Sequence, residues 1–223
     1  LEQFIHNVLT KIKSYIDNKH LKPIVIDNAL SSKILFKILL KFDNPKKLQI
    51  FKREDINFFN NKYKFQIDDN IKKGSLNFIF EILNLFIFRY NERIDEIEKF
   101  YNNFNNNFVI EDYIDIDYIN DKRSLNRDNN NGTDISVFWL PELKRKEYLK
   151  RYLNYELIKD LKLEEDFTSK KINQLKIEMI NSFKKDLYDY KNFDIYQIIS
   201  IPINSYLYFF DYHTKYFSPS EYN

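Results

Sequence analysis

Residues 76–103 read LNFIFEILNLFIFRYNERIDEIEKFYNN, and their apolar side chains recur every three or four positions. This spacing places the side chains on one face of an α-helix. Gly74 suits the end of a preceding helix, and Ser75 suits the N-cap of this one. Leu85, Ile87 and Phe88 widen the apolar surface. We therefore expect the first half of this helix to lie at the centre of the core.

The same periodicity continues along most of the chain and predicts an all-α fold. Only 2 Gly and 5 Pro occur among 223 residues, which disfavours a β-sandwich with many tight turns. We expect Thr168 or Ser169 to cap one helix, and Pro202 to kink or divide the last one. The predicted architecture is an irregular bundle of about six or seven helices, over residues 2–17, 27–42, 53–73, 76–103, 141–163, 169–190 and 192–210.

The middle of the chain departs from helical spacing. Residues 108–118 alternate in part between apolar and polar side chains, which indicates at most one short extended pair. Residues 119–137 are polar and predict a mobile loop. The loop is the candidate hinge between two helical sub-bundles, at 1–104 and 138–210.

Composition and charge exclude several classes of protein. The chain has 35 basic and 33 acidic side chains, a net charge of +2, and no Cys. Disulfides, thiolate catalysis and Cys-ligated zinc are therefore excluded, and no apolar run is long enough to span a membrane. Residues 1–91 carry 16 basic and 9 acidic side chains, whereas residues 92–121 carry 2 and 9. This asymmetry indicates solvated faces or, alternatively, a contact with a domain or partner.

The sequence offers no set of residues suited to catalysis, to a cofactor or to a metal. His6, His20 and His213 are the only histidines, and we expect no metal site at them, although Glu2 stands four residues before His6. Gly-rich phosphate loops and the Gly-x-Ser-x-Gly motif are absent. His213 can be interpreted as a general base or as a turn residue bonded to backbone carbonyls, and we favour the second interpretation.

Two motifs at opposite ends of the chain point to one family. Residues 210–219 read FDYHTKYFSP and resemble the Asp-Pro-His-Thr-x-Tyr-Leu-Ser-Pro signature of carboxy-terminal processing peptidases, or tail-specific proteases. Tyr212 and Phe217 stand where that signature has proline and leucine. Residues 20–31, HLKPIVIDNALS, are similar to the family's His-Tyr-x-Pro-x-x-Leu-Asp-Asp-x-Phe-Ser, and residues 51–56, FKREDI, to its Phe-x-x-x-Asp-Ile.

A looser match lies between these motifs, where a Trp-bearing segment precedes residues 155–163, YELIKDLKL. The resemblance thus covers most of the chain. It implies that the chain is the N-terminal helical domain of a tail-specific protease. The residues of the two terminal motifs, for which we expect structural roles, are His20, Pro23, Asp27, Asp211, His213, Thr214, Tyr216, Ser218 and Pro219. Within them, we expect Tyr216, with the neighbouring Phe217, to anchor the chain in the core where it leaves the last helix.

The resemblance also implies the biology of the whole protein. In the family, a PDZ domain and a protease core with a serine nucleophile and a lysine base follow this domain. The chain starts at Leu1, and we expect it to be an excised, inert domain of a serine endopeptidase in the periplasm or cell envelope. Implied partners are the downstream domains, protein substrates with apolar C-termini, and an adaptor or a second copy of the chain.

Two other functions stay open from the residues alone. A helical nucleic-acid-binding module would use the basic side chains of residues 1–91, which are interleaved with Phe and Tyr. The acidic middle segment and the small net charge count against it. A plain helical scaffold is the third possibility.

Overall fold

The computed structural model describes residues 2–19, 28–104, 138–161, 168–209 and 214–217. These residues form eight α-helices, and no strand occurs among them, so the predicted all-α class is confirmed. The extended pair predicted at 108–118 and the polar loop at 119–137 lie outside the described residues. The helices are α1 (Glu2–Lys19), α2 (Asn28–Phe42), α3 (Arg53–Tyr63), α4 (Ile67–Lys73), α5 (Asn77–Asn102), α6 (Glu142–Leu161), α7 (Ser169–Lys191) and α8 (Ile195–Leu207).

Local sequence signals set several of the helix ends. Gly74 ends α4 in the left-handed conformation, with φ of 75°, as its position in the sequence predicts. Thr168 caps α7, because its hydroxyl accepts a hydrogen bond of 3.2 Å from the Lys171 N–H. The prediction that Ser75 caps α5 is wrong: Leu76 is the N-cap and makes no side-chain cap bond.

The helix predicted over residues 53–73 is divided, since α3 ends at Tyr63 and α4 begins at Ile67. A tertiary contact accompanies the break. The Ser31 hydroxyl on α2 donates to the Asp68 carboxylate, and the Asp68 N–H donates to the Ser31 oxygen at 3.1 Å. Both side chains are buried, so this reciprocal pair docks the start of α4 onto α2. The apolar periodicity continues across the turn, which is why the sequence suggested one helix.

Helix α8 continues through Pro202 without division. Its start is fixed by a reciprocal capping box, in which the Asp194 carboxylate accepts from the Gln197 N–H and the Gln197 side chain accepts from the Asp194 N–H, both at 2.8 Å. Pro202 and Ile203 are buried. The apolar surroundings and the cap therefore support one continuous helix, so the predicted division at Pro202 is wrong and the predicted kink stays a prediction.

The first half of α5 lies at the centre of the core, as predicted. Ile79, Ile82 and Phe86 are fully buried, and α5 packs against α2, α7 and α8. The widened apolar surface extends less far than expected, because Phe88 is 55% exposed and lies beside the guanidinium of Arg89. Side chains from α1–α5 and from α6–α8 join in one hydrophobic cluster. The division into sub-bundles at 1–104 and 138–210 stays a prediction.

Charged pairs fasten α3 along the outside of α5. Arg89 donates from Nε and Nη2 to the two carboxylate oxygens of Asp55, each at 2.8 Å. Lys62 donates to Glu81 at 2.7 Å at the other end of α3. The Arg89 pair is bidentate and mostly buried, so it fixes the register of the two helices more firmly than the exposed Lys62 pair. None of the described helices is long and apolar enough to cross a membrane.

Candidate docking cleft

A buried polar cluster holds the segment that precedes α6. Trp139 is fully buried, and its indole N–H donates to Oδ2 of Asp43 at 2.7 Å. The same oxygen accepts the Phe51 N–H at 2.9 Å, and Arg53 donates from Nε to the Trp139 carbonyl at 2.7 Å. Burial raises the pKa of Asp43, although the hydrogen bond from Trp139 opposes this rise.

Gln49 occupies the centre of this cluster in a left-handed conformation, with φ of 48°. Its side chain donates to the Pro45 carbonyl at 2.8 Å and accepts the Leu140 N–H at 2.9 Å. Its carbonyl oxygen accepts hydrogen bonds from the guanidinium groups of Arg93 and Arg145. A positive φ is unfavourable for a residue with a side chain, so these four partners together maintain the backbone geometry.

The two arginines share their charges with acidic neighbours. Arg93 donates to Glu96 at 2.6 Å, and Arg145 donates to Glu142 at 3.0 Å. Burial, followed by the charge of Arg145, lowers the pKa of Arg93 to about 10, so the guanidinium remains charged at neutral pH. The cluster joins the α2–α3 loop to α5 and α6, and its groups are turned inward. Its role is therefore structural.

Beside this cluster, a cleft opens between the end of α2, α5, α6 and α7. Its larger lobe has a volume of about 480 Å³, and a second lobe on α6 and α7 has a volume of about 280 Å³. Tyr152 and Phe183 line both lobes, so the two lobes adjoin. The volume of the larger lobe is in the range of ligand-binding clefts in proteins, about 300–1,000 Å³.

Aromatic rings form the floor of the larger lobe. The rings of Phe86 and Tyr190 meet edge to face with centroids 4.7 Å apart, and those of Tyr190 and Phe193 are 5.0 Å apart. Phe86 and Tyr90 are buried, whereas Tyr190 and Phe193 are half-buried. The floor thus offers apolar surface with a polar edge, which suits side chains that carry both characters.

Carboxylates line the walls of the cleft. On α6, Glu156 and Asp160 follow Tyr152 at four-residue spacing, and on α7 Asp186 follows Phe183 at three. Asp189 lines the larger lobe and Glu178 the smaller one.

The hydroxyls at the base of the cleft respond to these charges. Burial, and then the charge of Asp186, raises the pKa of Tyr90, and burial followed by Glu156 raises the pKa of Tyr152. Both hydroxyls are therefore neutral at physiological pH and able to donate hydrogen bonds.

Beyond the cleft, the described residues contain no group of three or more side chains that could hold a metal ion. The Ser31 hydroxyl donates to Asp68, and the Ser200 hydroxyl donates to the Gln197 carbonyl at 2.8 Å. These serine contacts are structural. The cleft, in contrast, has the lining to bind an apolar, positively charged segment.

After α8, the side chain of Asn204 binds the backbone of the segment that follows the helix. Asn204 on α8 accepts the Tyr216 N–H at 2.7 Å and donates to the Tyr216 carbonyl at 3.0 Å. The Tyr216 side chain packs partly buried against the core. The expectation that Phe217 is a buried anchor is wrong: its ring is 52% exposed, and the Lys215 ammonium lies 4.8 Å from its centroid. The exit segment is thus held mainly through the backbone of Tyr216.

A family model described as the tail-specific protease N-terminal domain matches residues 12–220. The chain belongs to the tail-specific protease N-terminal domain family. The family consists of N-terminal domains of larger protease chains, and the resemblance inferred from the two motifs is confirmed. No curated protein matches the sequence.

Of the motif residues of this tail-specific protease domain, the structure describes Thr214 and Tyr216. Thr214 is half-buried, and Tyr216 is paired with Asn204 as described above. The remaining motif positions lie outside the described residues: His20, Pro23, Asp27, Asp211, His213, Ser218 and Pro219. Their structural roles stay predictions.

Sequence reasoning missed both the polar cluster and the cleft. Trp139, the only Trp, was a signal for the first, since a buried indole N–H needs an acceptor. The signal for the cleft was the four-residue spacing of Tyr152, Glu156 and Asp160. This spacing places the three side chains on one helical face, which is aromatic and acidic rather than purely apolar. Nothing in the sequence indicated that α7 stands opposite it.

Proposed function

We propose that this chain is the non-catalytic N-terminal helical domain of a carboxy-terminal processing serine endopeptidase. The observation that carries the proposal is the family match over residues 12–220. A PDZ domain and a core with a serine–lysine dyad would then follow in the same protein. The domain would help to enclose protein substrates with apolar C-termini and would dock adaptors or a second copy, in the periplasm or cell envelope.

The chemistry of the described lysines and serines supports a non-catalytic role. A serine–lysine dyad needs a lysine with a lowered pKa whose amine reaches a serine hydroxyl. Burial lowers the pKa of Lys37 and of Lys176. Lys37, however, lies 3.1 Å from the centroid of the Tyr208 ring, and Lys176 lies 4.6 Å from that of Phe104. Stacking on aromatic rings fits a packing role for both amines.

The ion pairs of the first half of the chain weigh against nucleic-acid binding. Lys62 is paired with Glu81, Lys72 with Asp68, and Arg89 with Asp55. Cations that already have carboxylate partners contribute less to phosphate binding. We therefore expect no salt-sensitive gel shift with oligonucleotides. Such a shift at micromolar protein would favour the nucleic-acid-binding alternative.

A peptidase assay tests the non-catalytic role. The purified 223-residue chain, incubated with fluorescein-labelled casein, should release no peptides. Cleavage that disappears when one of its own serines is replaced by alanine would contradict the proposal.

A deletion tests the enclosing role in the parent protease. Removal of residues 1–223 should slow the cleavage of an unfolded protein more than the cleavage of a short peptide, because only the protein needs enclosure. An equal loss for both substrates would contradict enclosure.

A further inference from the structure

We propose that the cleft binds an extended polypeptide segment of a partner protein in which Lys or Arg side chains alternate with aromatic or branched apolar ones. The cleft is the one between the end of α2, α5, α6 and α7. This inference names the chemistry of the partner in the docking role proposed above, and it rests on that role.

The shape of the cleft favours an elongated occupant. The lobes of about 480 and 280 Å³ meet at Tyr152 and Phe183, so the path runs along the α6–α7 groove and ends against the aromatic floor. One compact ligand would fill the larger lobe only. An extended chain directs successive side chains to opposite sides, so a segment lying edge-on in the groove directs one set at the aromatic floor and the other at the acidic walls.

The floor and walls select for two kinds of side chain. The half-buried rings of Phe183, Tyr190 and Phe193 offer apolar contact, and together with Tyr152 they can stack against a guanidinium or an ammonium group. The neutral hydroxyl of the half-buried Tyr152 can donate to a main-chain carbonyl of the bound segment.

The charge of the cleft requires a cationic occupant. Six acidic residues line it, and the basic side chains that line it are Lys41 and Lys47, both in the larger lobe. One of the six, Asp43, is buried and bound by Trp139. The other five are Glu156, Asp160, Glu178, Asp186 and Asp189. Glu156 has a cation nearby, since Lys159 lies 3.4 Å from it. Among the described residues, no ion pair engages Asp160, Asp186 or Asp189.

Other ligand classes fit this charge pattern poorly. A phosphate backbone would be repelled by the carboxylate walls. A metal ion needs ligands that converge on one point, whereas these carboxylates are spread along two helices and form no metal-binding group among the described residues. The alternation of rings and carboxylates matches a polypeptide with apolar and basic side chains.

A peptide titration tests the proposal on the 223-residue chain. The probe is a fluorescein-labelled 12-residue peptide of alternating Lys and Phe or Leu, followed by fluorescence anisotropy at two salt concentrations. We expect saturable binding that weakens with salt, with a Kd of roughly 1–100 μM. A peptide with Glu in place of Lys should not bind. A peptide with Ser in place of the apolar residues should bind about tenfold more weakly or worse.

Matched variants locate the binding. Replacing both Asp186→Asn and Asp189→Asn should weaken binding roughly three- to tenfold, because each lost charge pair at an exposed site contributes modestly to binding. The control is Asp69→Asn with Asp95→Asn, which makes the same change in net charge at exposed positions outside the cleft. It should change the Kd less than twofold. Far-UV circular dichroism should show all variants equally folded.

The proposal is overturned if no probe binds saturably, if the acidic peptide binds equally well, or if the cleft variant and the control bind alike. Such results would leave the parent protease's preference for unfolded proteins untouched. Failure of this inference is therefore distinguishable from failure of the proposed function.

Discussion

The hydrogen bond between Trp139 and Asp43 offers the sharpest test of how the two halves of the chain are joined. Replacing Trp139→Phe removes the indole N–H from a buried carboxylate that is otherwise bound by the Phe51 N–H. A hydrogen bond to a charged group contributes about 1.5–3 kcal/mol, and the smaller ring leaves a cavity that costs about 1 kcal/mol more. The expected loss in the free energy of unfolding is therefore about 2.5–4 kcal/mol.

Urea denaturation followed by far-UV circular dichroism measures this loss, since Trp139 is the only Trp and its fluorescence disappears with it. With a slope of about 2–3 kcal/mol/M, the midpoint should fall by roughly 0.8–2 M. Leu143→Ala is the control, because this side chain is 80% exposed, and it should cost less than about 0.5 kcal/mol.

A double-mutant cycle separates the hydrogen bond from the cavity. Asp43→Ala and Trp139→Phe, measured singly and together, should show a coupling energy of about 1.5–3 kcal/mol. A coupling near zero, or a loss below about 1 kcal/mol for Trp139→Phe alone, would refute the reasoning that this bond ties the α2–α3 loop to α6.

Three further changes probe the rest of the fold. Asn204→Ala should cost about 1–2 kcal/mol and speed hydrogen exchange at the Tyr216 amide, since both main-chain bonds are lost; unchanged exchange would contradict the role of this clamp. Gly74→Ala should lower the melting temperature by a loss of about 1–2 kcal/mol, because φ is 75° and a Cβ would lie 3.3 Å from the backbone of α1; an equal or higher melting temperature would contradict it. Burial opposes ionisation of Asp68, but hydrogen bonds from Lys72 and Ser31 lower its pKa. This lowered pKa stabilises the fold above the unfolded pKa near 3.9, and the stabilisation is lost as the pH falls through the lower pKa of the folded state. Ser31→Ala should therefore reduce the loss of urea resistance between about pH 5 and pH 2. An identical loss in the variant would count against the Ser31–Asp68 hydrogen bonds.

Much of the fold follows from periodicity and caps. The α5 pattern and the left-handed Gly74 were predictable because they depend on short-range spacing and on backbone conformation that few residues adopt. The break between α3 and α4 was not, because it accompanies the contact of Asp68 with Ser31, 37 positions away. The sequence around either residue does not indicate that the two meet in the fold.

The candidate site was also only partly predictable from local sequence. The motif at 210–219 identified the family, yet within it the burial of Phe217 was wrongly predicted, because an aromatic residue after a turn can face solvent as readily as the core. The positive φ of Gln49 could not be predicted either. It depends on hydrogen bonds that join the α2–α3 loop to Arg93 on α5 and to Arg145 on α6. The cleft exists only through the juxtaposition of α6 with α7.

The reading frame beyond residue 223 in the parent gene tests the central claim most directly. If the chain is the N-terminal domain of a carboxy-terminal processing endopeptidase, sequencing should reveal a PDZ domain followed by a protease core that carries a serine nucleophile and a lysine base. A stop codon directly after Asn223, or a continuation that encodes neither domain, would contradict the claim.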